Sequence, residues 1–255
     1  LNTAAEEAAA TLLWPVLRET FGRGEAACRP LIARHGLGQG FVDPALRFLE
    51  ARGASVSLNR RLRALNLDGD RVSALAFGGA PLSVGPEDSV VLAVPPAASA
   101  DLVPDLVAPR HSRAIVNGHF RLDRTAPGVT FLGLVGGTCQ WLFVRGDIAS
   151  VTASAADALA EEPAAAIAER MWPEVAGALD LGAAPLPAHR IVKEKRATFA
   201  QTPEEAARRP GARTAWRNLF LAGDWTDTGL PATIEGSVCS GRKAADMVLS
   251  SRGDT

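Results

Sequence analysis

The feature that most constrains this chain is a short apolar strand running straight into a glycine and a carboxylate, Asn218-Leu-Phe-Leu-Ala-Gly-Asp224. Behind it, Gly229-Leu-Pro-Ala-Thr-Ile-Glu-Gly236 opens a helix predicted from Thr233 to about Leu249. Strand, turn and helix in that order bring the strand's carboxyl end and the helix's amino end to one edge. The first backbone N–H groups of a helix have no intrahelical acceptor, and its dipole is positive there. Phosphate or an electron-rich ring edge is therefore favoured. Asp224 is placed to accept a hydrogen bond from a ligand hydroxyl. The small residues Gly236, Ser237, Ser240, Gly241 and Ala244 let the helix approach a neighbour closely. Gly236 to Gly241 lacks the G-x-S-x-G spacing and its serines fall inside the helix, so packing is expected there rather than a nucleophile.

The rest of the pattern predicts a mixed α/β chain. Thr3 to Phe21 reads as a helix kinked at Pro15. His35 to Gly40 reads as a glycine-rich loop, and Asp43-Pro44 as the cap of a helix closed by Gly53. Two alternating runs, Val56 to Leu65 and Arg71 to Phe77, flank Asp68-Gly69-Asp70, a hairpin turn. Ser89 to Val94 is almost wholly apolar, as in a strand buried on both faces, and ends at Pro95-Pro96. Ala114 to Val151 alternates as several strands of a second sheet, with Gly128, Gly133, Gly136-Gly137 and Gly146 as turn or bulge points. Ser154 to Leu179 is an alanine-rich helical stretch expected to break near Pro163 and Pro173. Between Pro185 and Pro210 a strand around Ile191-Val192 and an irregular loop are expected.

Charge and cysteines exclude several classes. The formal net charge is −1 and the basic residues are dispersed, so nucleic-acid binding is not indicated. Cys28, Cys139 and Cys239 are an odd number without CxxC spacing, which argues against a disulfide framework and a zinc site and for a reducing, cytoplasmic compartment. His111 and His119 are not spaced as a metal pair, so no metal is expected. No apolar run reaches the roughly 18 residues of a membrane span, so any membrane contact is expected to be peripheral. The sequence opens at Leu1 with no methionine before Met171 and is expected to belong to a longer polypeptide.

The stretch from Ala222 to Gly241, AGDW-T-x-TGLPATIEG-x-x-x-SG, resembles the C-terminal signature of the flavin amine oxidase and carotenoid desaturase superfamily. Within it, the chain is most similar to the squalene-associated branch, the hydroxysqualene dehydroxylases. Val192-Lys-Glu-Lys-Arg-Ala-Thr-Phe199, Arg209-Pro-Gly-Ala-Arg-Thr214 and Phe41-Val-Asp-Pro-Ala45 with Gly53 and Val56 are consistent with that branch. The resemblance runs from about His35 to Leu249. It implies a two-domain, FAD-binding fold with 41–99 and 203–255 in the flavin domain, and 1–40 and 100–202 in a strand-rich substrate domain. It also implies an isoprenoid substrate, reductive dehydroxylation of hydroxysqualene, and a long apolar tunnel between the second sheet and the first helices.

Carried over by position, the resemblance assigns Asp224, with its neighbours Gly223 and Trp225, to a ribityl or diphosphate-proximal hydroxyl of FAD. Pro231, Ala232, Thr233 and Ile234 form the helix start, where backbone N–H groups of Thr233 and Ile234 would meet the pyrimidine edge or the diphosphate. Val56 is matched to a valine whose main chain meets adenine, and Pro95 to a loop near the cofactor. The superfamily's GxGxxG segment is absent from the sequence, and Gly36-Leu-Gly-Gln-Gly40 has the wrong spacing to replace it. No catalytic residue is assigned, and the oligomeric state is not legible.

Other residues read as structural. Trp141 and Phe143 share one face of an expected strand and are expected in a core, the alternative being a substrate wall, while Asn117 and His119 are core or surface residues that could also line a pocket. Arg196 and Arg209 are expected to pair with Glu194 or Glu204, the alternative being to steady a leaving hydroxyl. Glu161-Glu162 reads as a solvated helix start. The competing functions are an amine oxidase, which the lack of tyrosine disfavours, a carotene desaturase, and a non-catalytic remnant.

Overall fold

The computed structural model describes residues 2–123 and 129–253. The chain begins with three helices, α1 (Ala10–Glu19), α2 (Glu25–Cys28) and α3 (Asp43–Glu50), with a π turn at Gly38–Val42 leading into α3. The strands β1 (Ala64–Asp68), β2 (Arg71–Ala76), β3 (Leu82–Ser83) and β4 (Val90–Leu92) follow, then α4 (Pro96–Leu102). Next come β5 (Ser112–Arg121), β6 (Val129–Gly133), β7 (Trp141–Arg145), β8 (Ile148–Ala153), α5 (Asp157–Glu161) and α6 (Ala164–Ala178). The chain closes with β9 (His189–Phe199), α7 (Pro203–Ala207), β10 (Leu219–Leu221) and α8 (Ile234–Gly253).

These strands form three sheets, ordered β1-β2-β3, β10-β4 and β6-β7-β8-β5-β9. The hairpin turns at Gly69, whose φ of +57° suits glycine. β10 pairs in parallel with β4, Leu221 opposite Leu92. The five-stranded sheet is antiparallel and lays one face, including Val116, Phe120, Leu142, Val144 and Val151, against α5 and α6. A second core joins Leu12, Val72, Leu92, Phe199, Leu219, Leu221 and Trp225. Phe220 points to the opposite side of β10, where Ala244 of α8 covers it. The strand is thus buried on both faces, as its unbroken apolar run requires.

Several expectations need correcting. The first helix starts at Ala10 rather than Thr3, because Asn2 and Thr3 are engaged elsewhere: Asn2 Nδ2 donates to Arg113 O and Thr198 Oγ1, and Gln201 N donates to Thr3 Oγ1. Asp43 is the first residue of α3 and not its cap, since the π turn feeds the helix directly from Val42. Gly53 does close the turn, at φ +82°. The first hairpin strand starts at Ala64, leaving Val56 half-exposed in a segment without regular structure. β3 was not foreseen. β4 is buried on one face only, with Val91 44% exposed. Pro173 lies inside α6, whose buried face of Ile167, Met171, Trp172 and Val175 carries the helix through it, while Pro163 does break the stretch. The strand expected around Ile191-Val192 is the eleven-residue β9, longer than foreseen, and part of the irregular loop expected in this stretch is α7. Glu161 and Glu162 end α5 and pair with Lys195 and Arg170. Gly128 lies outside the described residues.

Candidate functional site

The two parallel strands end together. Ala222 N donates to Leu92 O at 3.0 Å, so the turn after β10 and the Val94-Pro95 turn after β4 lie side by side at the carboxyl edge. Ligands of open α/β sheets bind at such an edge. Trp225 fixes the two turns to each other. It is 1% exposed, and its indole N–H donates to Val94 O at 2.9 Å. Its ring belongs to the core, so it shapes the site through the backbone around it.

Gly223 makes this possible. A Cβ there would sit 2.5 Å from Trp225 Nε1, and its φ is +141°. Its N–H donates to Ser240 Oγ at 2.7 Å, tying the strand end to the second turn of α8. Gly236 plays the matching part on the helix, where a Cβ would meet Pro231 O at 2.8 Å. The small residues legible in the sequence therefore bring the helix start onto the 223–231 turn.

At that helix start, Thr233 caps α8, its hydroxyl accepting Gly236 N–H at 3.0 Å and its carbonyl accepting Ser237 N–H at 3.0 Å. Ala232 N–H is held by Gln201 Oε1 at 3.1 Å. Among the described residues the N–H groups of Thr233, Ile234 and Glu235 have no protein acceptor. Three donors thus remain at the positive end of a twenty-residue helix. Thr233 and Ile234 are exposed, Pro231 is buried and Ala232 is half-buried.

Asp224 is half-buried beside these donors. Burial pushes its pKa above the usual aspartate value, against the opposing pull of the Arg209 guanidinium. Arg209 is not paired with Glu204 or Glu194. Its buried side chain donates to Asp224 O at 3.2 Å, Thr226 O at 2.5 Å and Thr228 Oγ1 at 3.4 Å, clamping the turn. Sequence reasoning missed this role because the acceptors are two backbone carbonyls and a threonine hydroxyl, which leave no carboxylate to find by spacing. Two side-chain atoms close to this loop, Gln201 Nε2 and Arg209 Nε, are buried without a partner.

The outer face of the five-stranded sheet was also misread. Leu142 and Val144 point into the core, so Trp141 and Phe143 point away from it. Phe131, Trp141 and Phe143 stack there, with centroids 5.1 Å and 4.7 Å apart. On the same face Asn117 Oδ1 accepts from Thr152 Oγ1 at 2.8 Å, and His119 Nδ1 meets Ser150 Oγ at 2.9 Å. Burial and the charge of Arg190 push the His119 pKa down. A cavity of about 580 Å³ lies between this sheet and the α8 start, lined by Ile115, Leu134, Val135, Trp141, Ala232 and Thr233 among others. Among the described residues no group of three or more His, Cys, Asp or Glu side chains is gathered as a metal site. Pro95 therefore adjoins the 223–234 segment, whereas nothing in the contacts ties Val56 to it.

The chain is 51% identical over 251 residues to a hydroxysqualene dehydroxylase of Rhodopseudomonas palustris, 48% to one of Sinorhizobium fredii and 43% to one of Zymomonas mobilis. Each match covers 98% of this chain and 60% of the relative's length. Among solved structures, a putative protoporphyrinogen oxidase from an Exiguobacterium species matches at TM-score 0.59 and 14% identity, over 84% of this chain and 51% of that one. Cyclohexylamine oxidase from Brevibacterium oxydans matches at 0.55 and 14%, over 82% and 52%, and both likenesses speak to the fold alone. The family model described as flavin containing amine oxidoreductase matches residues 1–249, and the chain belongs to that family.

Proposed function

We propose that this chain is the flavin-contacting part of an FAD-dependent oxidoreductase that removes the hydroxyl of hydroxysqualene to give squalene. One observation carries the reading: nearly the whole chain aligns at 43–51% identity with three relatives of that name. The site's donor set suits the cofactor. Three free N–H groups at the amino end of α8 match an anionic or electron-rich edge, and Asp224 beside them can accept from a ribityl hydroxyl. In this reading Gly223, Asp224 and Pro95 would lie on one side of the cofactor and Pro231, Ala232, Thr233 and Ile234 on the other, with Trp225 acting through the backbone it holds. Val56 joins the set by resemblance alone.

When bound and reduced, FAD supplies a hydride. In the overall change the carbon–oxygen bond breaks, the hydroxyl leaves with a proton as water, and the carbon receives the hydride pair. The protein's part is position. Arg209 holds the carbonyls of Asp224 and Thr226, so the backbone that carries the Asp224 side chain is fixed. Gln201 anchors the loop in front of α8 through Ala232. The flavin domain would comprise 41–99 and 203–255, and the substrate domain 1–40 and 100–202. The protein would work in the cytoplasm, peripheral to a lipid surface from which an isoprenoid arrives. Among the described residues no helix is long and apolar enough to cross a membrane.

The test is the visible spectrum of the purified protein with added FAD, taken on this chain and on a form extended upstream. Flavin absorbance retained through gel filtration is expected. Asp224→Ala should weaken FAD retention roughly 10- to 100-fold, the cost of one hydrogen bond to a charged acceptor. A protein that stays colourless in excess FAD in both forms refutes the reading.

A further inference from the structure

We propose that the aromatic stack on the outer face of the five-stranded sheet, led by Trp141, is the wall of a subsite for the unsaturated hydrocarbon of the substrate. The inference rests on the isoprenoid reading above and adds the residues that touch the chain being reduced.

Four observations converge on it. Trp141 is 45% exposed although it stands in a strand whose neighbours Leu142 and Val144 are fully buried. Its ring therefore lies on the face of the sheet away from the α5–α6 core. Second, the ring is held in place: it stacks on Phe131 at an interplanar angle of 10°, and Phe131 in turn stacks on Phe143. Third, Gly133 pairs directly opposite Trp141, and a Cβ there would stand 3.3 Å from the indole. Glycine at this position leaves the indole room to lie across the strand.

Fourth, Trp141 lines the cavity of about 580 Å³ whose far side is Ala232 and Thr233, the residues at the start of α8. Ile115, Leu134 and Val135 complete an apolar wall, and Val135 is fully exposed on its loop. The polar side chains at the other side are already engaged. Asn2 bonds Arg113, Thr198 and Ala155, and Gln140 bonds the backbone of Ser154. An occupant therefore meets a flat aromatic surface and aliphatic side chains, next to the donors assigned to the cofactor. Burying an olefinic chain against an indole face is favourable through both its area and the ring's polarisable surface. A small charged amine would find no carboxylate among these lining residues.

The test uses the FAD-supplemented protein and radiolabelled squalene in detergent micelles, with retention on gel filtration as the readout. Flavin absorbance and circular dichroism are recorded on the same samples. Trp141→Phe should retain squalene within about threefold, and Trp141→Ser should weaken it about tenfold or more with the flavin band unchanged. Val135→Asp, at an exposed loop position that cannot unfold the core, should weaken it likewise. Squalene retention unchanged in both Trp141→Ser and Val135→Asp overturns the subsite, as does a wild-type protein that retains no squalene. A protein that holds squalene through Trp141 but never holds FAD keeps the subsite and sinks the flavoenzyme reading.

Discussion

At the residue scale the site is governed by positions where one atom more is too many. Gly223 sits at φ +141° with Trp225 Nε1 2.5 Å from where a Cβ would be. Gly223→Ala is expected to cost roughly 2–4 kcal/mol through strain and overlap, read as a lowered denaturation midpoint with loss of FAD binding. Asp224 supplies a pH signature. Burial raises its folded pKa above its ordinary value of 3.8, so ionising it costs the folded state more than the unfolded one. Its contribution to stability is complete below the unfolded pKa and is lost as pH rises through the folded pKa. Asp224→Asn should therefore flatten stability against pH in the window just above the ordinary aspartate pKa. Thermal midpoints of the FAD-free protein across that window check this, and parallel curves for the two proteins would refute it. Neither prediction was available from spacing: the motif named Gly223, Asp224 and Trp225, but that the Trp225 indole folds back over Gly223, and that the Arg209 guanidinium comes near Asp224, is set by the folded backbone.

At the element scale, α8 is the part most legible in the sequence. The run of small residues and the Thr233 start placed it within a few residues, because a cap followed by small residues is a local signal. Thr233→Ala removes the acceptor for Gly236 N–H and should cost about 1 kcal/mol of stability. It should weaken FAD binding severalfold as the free donors lose their fixed directions, measured by flavin titration. Equal affinity in the two proteins would show that the cap does not set those donors. β7 shows the opposite case. Its alternation was correctly read as a strand, but which of its two faces met the core depended on α6, so Trp141 and Phe143 were assigned to the wrong side. Pro173 and α6 fail for a related reason: burial of one helix face outweighed a local breaker.

At the scale of the whole molecule, the segment before α1 ties distant parts together. Asn2 bonds β5 at Arg113, β9 at Thr198 and the chain at Ala155, while Thr3 and Ala9 bond Gln201, which holds Ala232 in front of α8. Asn2→Ala leaves buried groups unsatisfied and should cost roughly 2–3 kcal/mol. Limited proteolysis should then cut first near the N-terminus, and FAD affinity should fall although Asn2 is not placed against the cofactor. Unchanged melting and unchanged affinity would mean that this strap carries no load between the sheet and α8.

The local order of strand, turn and helix and the hairpin at Gly69 were fixed by residues near one another in the chain, where propensity, capping and glycine geometry act over a few positions. The choice of sheet face for Trp141, the clamp of Arg209 on backbone carbonyls and the binding of Asn2 across the sheet were decided only in the tertiary structure. Each depends on a partner far away in sequence, and a side chain that bonds main-chain carbonyls or faces a cavity has no complementary residue type by which the sequence could announce it.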